Sequence, residues 1–381
     1  RRAAAALGSM HDASAIEALA LALARDPDAE VRQLCAQGLA THSQEARAKS
    51  ALLKAIVDPQ PEVRMLAIDA VAEFATPEEA APIFESLRSE HAPLVATCER
   101  SLARIFAGRV EGVHDWMMGQ DNANMQACGL RILRSIGDAR SLGLIQALLQ
   151  SSDPTLRVES ARALAALKIP DAIRAMLDAL GDPKESVRVG ILKALEGTTR
   201  ADVVETLQES CFDPSVAVRA QLTVTLSTLD SAQAVEILAT LAGDTDATIA
   251  GGALLGLLRS PDQESQHQLL AVLSTAGNDA KRLFRRDSHD SMEEVVEQCR
   301  SALDGDVRRR GVEVMAAVDT VRYATQIAEA LQDPDAKVRL AATLALSDQD
   351  PERVGDWLRA LLDDPVAEVR DAAKRALFRI V

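Results

Sequence analysis

Aromatic residues are nearly missing from this chain of 381 residues: six Phe, two Trp and one Tyr make up 2 %. Basic charge is also short, with 42 Lys and Arg against 57 Asp and Glu and a formal net charge of −15. Phosphate neutralisation needs a basic surface and base stacking needs aromatic platforms, so both shortages argue against nucleic-acid binding. The lack of aromatics also argues against β-sandwiches and barrels, whose strands favour them. No run of about 18 apolar residues could span a bilayer, and no signal peptide opens the chain. The five cysteines, at 35, 98, 128, 211 and 299, show no CxxC or metal-ligand spacing, the pattern of free thiols in a reducing compartment. These features point to a cytoplasmic protein with no metal and no cofactor.

Catalytic motifs are missing as well. P-loop, GxGxxG, GxSxG and HExxH patterns do not occur, so no catalytic residue is assigned and a non-enzymatic role is expected. Three His-Asp dipeptides stand out: His11-Asp12, His114-Asp115 and His289-Asp290. Two of them precede helices, where an aspartate reads as an ordinary cap.

Apolar residues, by contrast, make up 48 %, almost all Ala, Leu, Val and Ile, which excludes intrinsic disorder. They are arranged in a repeat. Asp26-Pro27-Asp28-Ala29-Glu30-Val31-Arg32 recurs in variant form from Asp58, Asp182, Asp213, Asp333 and Asp364. Anchored on the apolar residue before the arginine, the series runs 31, 63, 94, 125, 156, 187, 218 and 249, then resumes at 307, 338 and 369. A period of this length marks stacked supersecondary units. Each unit reads as two helices. The second starts after Asp-Pro and buries positions i, i+3, i+4, i+7 and i+8, as in Val31, Leu34, Cys35, Gly38 and Leu39; the first carries Ile16, Leu19, Ala20 and Leu23. A hairpin of about thirty residues cannot bury its apolar face alone, so the units must stack into a solenoid.

Leu7-Gly8, Asp12, Ala15-Ile16 and Leu19, followed by Asp-Pro-x-x-x-Val-Arg, are similar to the short HEAT-like repeat, the variant named from phycobilisome lyases. The resemblance covers nearly the whole chain. It implies an all-α fold, a right-handed α-solenoid of about twelve hairpins running as one domain over residues 1–381, with irregular segments near 89–126 and 259–306. A lone second helix at 1–8 opens the chain in mid-repeat, so further repeats or another domain are expected upstream. The resemblance further implies a ladder of Asp and Arg between repeats, through Arg32, Arg64, Arg157, Arg188, Arg219, Arg308, Arg339 and Arg370, weakest where Val95, Gln126 and Ala250 replace the arginine. Its functional implication is a non-catalytic scaffold or adaptor binding a protein or peptide on a concave face lined by second helices. The alternatives are a bilin-lyase-like chromophore attachment factor and a regulatory module of a larger protein.

Two candidate binding features follow. Positions two, five and six after each anchor lie off the buried stripe and include Met65, Ile68, Leu130, Val158, Val189, Leu192, Val224, Leu254, Leu255, Leu340 and Leu344. Exposed together, they would form an apolar strip for a protein or peptide. Lys281, Arg282, Arg285 and Arg286, with Arg308, Arg309 and Arg310 one helix pair later, form the densest cationic cluster. Converging on one edge, they would offer an anionic segment a local site.

Overall fold

The computed structural model describes residues 1–378 except 11, 199–200, 260–262, 289–291, 294–295 and 298–299. Among the described residues there is no strand, and the chain is an all-α solenoid of helical hairpins. It divides into two compact units, Arg1–Ala194 and Leu195–Val381.

In the first unit a lone helix, Arg2–Gly8, precedes six hairpins. Their second helices are Ala29–Ala40, Pro61–Val71, Ala92–Ile105, Ala123–Ile136, Pro154–Leu167 and Glu185–Ala194. In the second unit the second helices are Val216–Leu226, Ala247–Arg259, Asn278–Asp287, Gly305–Asp319, Ala336–Leu346 and Ala367–Phe378. Ala280 is 3 % exposed and lies 31 residues after Ile249, so a repeat does occupy the gap in the series. The irregularity is confined to the step from Ala280 to Val307, which is 307 − 280 = 27 residues.

Asp28, not Asp26, caps Ala29–Ala40, accepting the Glu30 N–H at 2.9 Å. Asp26 instead accepts the N–H of Asp28 at 2.9 Å, closing the turn that Pro27 stiffens. Asp12 caps Ala13–Arg25 through the Ala15 N–H, as its His-Asp context suggested.

The second helices bury a wider stripe than i, i+3, i+4, i+7 and i+8. Position i+5 is also shut away, in Ala36, Ile68, Leu130, Ala161, Leu192, Leu254 and Val312. A second helix touches its own hairpin partner on one side and the second helix of the adjacent repeat on another, so two faces are covered rather than one. The stack is close enough to forbid a side chain in places. A Cβ on Gly38 would lie 2.9 Å from the Cα of Gly8, so these helices touch backbone to backbone. Phe84, just before the irregular segment 89–126, stacks on Trp116 at 4.5 Å and meets Phe106 at 5.5 Å, both within that segment.

Candidate functional site

The Asp/Arg ladder is present as bidentate rungs. Arg32, Arg157, Arg219, Arg308 and Arg339 each donate through Nε and Nη2 to the two carboxylate oxygens of Asp58, Asp182, Asp244, Asp333 and Asp364 in the following repeat. The same aspartate accepts the N–H two residues on, at 2.8–2.9 Å, in all five rungs. Nη1 of the arginine reaches back to the carbonyl six residues earlier. One fork thus ties two repeats and two turns together, with charge-assisted bonds that satisfy every partner. The hydrogen bond from Arg308 holds the Asp333 carboxyl below its ordinary value, and Arg339 does the same for Asp364. At Asp182 and Asp244 burial pushes the carboxyl up, but the combined pull of arginine and backbone N–H outweighs it.

Rungs fail in pairs. Val95 precedes Gln120, Gln126 precedes Ser151, and Ala250 precedes Thr275: where the arginine slot changes, the aspartate slot of the next repeat has changed too. Gln126 keeps part of the old pattern, its amide donating to the Gln120 carbonyl at 2.9 Å. At Lys281 and Ala302 a cation remains in the arginine slot, and Lys281 keeps an interaction of its own.

Arg64 breaks the rule. Its partner slot holds Ser89, whose Oγ accepts the His91 N–H at 3.2 Å and so performs the turn-closing half of the aspartate's task. Of the eight ladder arginines, seven donate Nη1 to the carbonyl six residues back. Among the described residues Arg64 makes neither that bond nor an ion pair, and its Nε is enclosed without an acceptor. The side chain instead lines a shallow groove of about 730 Å³ with Val57, Pro82, Glu85, Arg88 and Ser89. Sequence reasoning passed over this residue because its own slot is intact; the signal was the serine 25 residues later.

The proposed apolar strip breaks up on inspection. Ile68, Leu130, Leu192 and Leu254, all at i+5, are fully buried between repeats and offer nothing to a partner. Met65, Val158, Val189, Leu255 and Leu340 are half-buried; Val158 fills the space beside Gly190, where a Cβ would stand 3.1 Å from its methyl. Only Val224 and Leu344, both at i+6, are well exposed, at 53 % and 56 %. In the first unit the outer face is ionic, as in Arg131–Glu99 at 2.7 Å and Arg104–Glu73 at 3.0 Å.

The cationic residues do not converge either. Arg308 is a ladder residue, Arg310 is buried, and Arg309 pairs with Asp306 and Glu313. Arg285 donates to the Val318 carbonyl at 2.6 Å, at the far end of the helix that begins at Gly305. Ten residues of helix separate Arg308 from Val318, a rise of about 15 Å, so the two groups sit at opposite ends. Arg282 and Arg286 remain exposed beside Asp279 and Asp287, and Lys281 is half-buried.

No group of three His, Cys, Asp or Glu able to hold a metal occurs among the described residues. His114 shares a hydrogen bond with Ser141 at 2.9 Å, while His11 and His289-Asp290 lie outside the described residues. Cys35, Cys98, Cys128 and Cys211 are buried free thiols; Cys299 lies outside the described residues. Among the described residues no helix is long and apolar enough to cross a membrane.

The sequence profile of HEAT repeats matches residues 16–103, 110–196, 173–257 and 292–377. No curated protein matches the chain. Among solved structures it is similar to Kap95p, in a study of its binding to RanGDP, at 13 % identity and a TM-score of 0.48, over 96 % of this chain and 56 % of that one. It is similar to the Kap95:Nup1 complex at 12 % and 0.47, over 96 % and 62 %. An engineered protein is 19 % identical with a TM-score of 0.27, over 96 % and 98 %. The chain thus spans less than two thirds of the length of either Kap95 chain.

Proposed function

Because this chain belongs to the HEAT-repeat family, we propose that it is a non-catalytic scaffold that binds a protein partner on the outer face of its second helices. The observation that supports this reading is register. Val224 and Leu344 occupy the same helical position in two repeats of the second unit and are 53 % and 56 % exposed, with half-buried Leu255 at the same position between them in sequence. Large apolar side chains repeated at one exposed helical position favour an interaction surface over core.

The test is capture followed by mass spectrometry with the wild-type chain and with the Val224→Asp/Leu344→Asp double variant. Both changes lie on exposed positions and leave the melting temperature within a few degrees. The reading expects a specific partner retained by the wild type and lost by the double variant. Identical partners on both would remove this face from consideration.

A further inference from the structure

We infer that the groove around Arg64 is a seat for a carboxylate carried by an acidic, extended segment of a partner protein. This inference rests on the scaffold reading and assigns a second contact to it.

At five places an arginine in this slot grips a carboxylate with Nε and Nη2, so the slot itself is built to present a fork to two carboxylate oxygens. At Val95, Gln126 and Ala250 the arginine and its aspartate disappear together, as expected when a fork has nothing to grip. Arg64 persists although Ser89 has replaced its partner, and its Nε is enclosed with no acceptor from the described residues. An enclosed donor without an acceptor costs free energy, and what sets Arg64 apart is that the aspartate its slot ordinarily grips has been replaced by Ser89. A carboxylate from outside supplies the missing acceptor.

The surroundings select the kind of segment. Arg88 is the second guanidinium of the groove, already engaged by Glu85 at 3.3 Å and by the Gln120 amide oxygen at 3.2 Å, so Arg64 is the fork left for an outside carboxylate. Val57, 68 % exposed, forms part of this groove and of a neighbouring one of about 470 Å³ between the helices Ala13–Arg25 and Ala46–Ala55. That second groove carries Leu21, Arg25, Arg47 and Lys54. Arg47 pairs with Glu17, whereas Arg25 and Lys54 have no ion pair among the described residues. On a chain of net charge −15, a run of cations with exposed apolar side chains between them matches a strand-like segment that alternates acidic and apolar residues.

The probe is a fluorescent decapeptide of alternating aspartate and leucine, with asparagine replacing every aspartate in the control, titrated by anisotropy at about 0.15 M salt, where long-range attraction is screened. The wild-type chain should prefer the aspartate peptide by about tenfold or more. Arg64→Gln should abolish that preference. Ser89→Asp should abolish it too, by filling the fork from within, while raising the melting temperature, so loss of binding cannot be blamed on loss of fold. Val224→Asp should leave it intact; partner capture unchanged in the Val224→Asp/Leu344→Asp variant with the peptide preference present would fail the outer-face reading alone, and partner capture lost in that variant with no peptide preference in the wild type would fail only the groove. Equal binding of the two peptides, or full binding by Ser89→Asp, overturns the inference. Displacement of the peptide by equimolar inorganic phosphate would make the groove a small-oxyanion site and overturn its assignment to a protein segment.

Discussion

Arg339 meets Asp364 through two hydrogen bonds of 2.7 and 3.0 Å, and the aspartate side chain keeps only 3 % of its surface in solvent. This pair joins two repeats in a place where neither charge can be rehydrated without opening the stack. Asp364→Ala should therefore destabilise the second unit by about 3–5 kcal/mol, because it strands an enclosed guanidinium. Asp356→Ala, which removes the partner of Arg359 on the open surface, should change stability by about 0–1 kcal/mol. Urea unfolding of the two variants checks the contrast, and equal losses would mean that the rungs are ornament.

The same rungs set a pH dependence. Asp333 and Asp364 are held below the ordinary carboxyl value of 3.8 by hydrogen bonds from Arg308 and Arg339. A carboxyl depressed in the folded state contributes stability that is present above its unfolded value and lost as pH falls through the folded one. Stability of the second unit should hold from neutrality down to about pH 5 and then fall steadily into the acid range. Asp364→Asn should flatten part of that fall. A fall of the same steepness in the variant would show that other carboxylates carry it.

Two glycines should respond with opposite signs. Gly38→Ala places a methyl 2.9 Å from the Gly8 backbone, which can yield only by moving the helix Arg2–Gly8, at a cost of about 1–3 kcal/mol. Gly143 sits in the helix Leu142–Leu149 with nothing within 4 Å, so Gly143→Ala should stabilise by up to about 1 kcal/mol. Thermal melts give the sign, and hydrogen exchange at residues 2–8 should accelerate only in the first variant.

Thiol chemistry offers a local probe of stacking. Burial pushes Cys98 up to about 12 and Cys128 and Cys211 up to about 11, while nearby Arg64 pulls Cys98 slightly down. Thiolate is the reactive form, so at pH 8 these three residues should resist alkylation in the folded chain and react fully in denaturant. Site-resolved mass spectrometry checks this; rapid labelling of Cys98 in the native protein would mean that its repeat opens readily.

How much of this was legible in the sequence depends on which neighbour a residue answers to. Anchors such as Val63, Leu94 and Ile249 answer to their own hairpin, and single-helix periodicity located them; Ala280 fell in step despite losing the Asp-Pro signature. Ile68 and Leu254 answer to the adjacent repeat, a second contact that periodicity along one helix cannot register, so they read as exposed and are buried. Arg308 and Arg282 looked like one cluster because sequence distance hides the length of an intervening helix. Arg64 looked ordinary because its defect lies in Ser89, a residue belonging to the next unit.

Every rung has a direction: the cation comes from the earlier repeat and the carboxylate from the later one. Severing the chain between two such repeats therefore leaves edges of opposite sign, a bare fork on one piece and a bare carboxylate on the other. Like edges repel and unlike edges match, so the array behaves as a one-way fastener. Split halves are expected to rejoin only in their original order, whereas two copies of the same half meet with like charge at the seam.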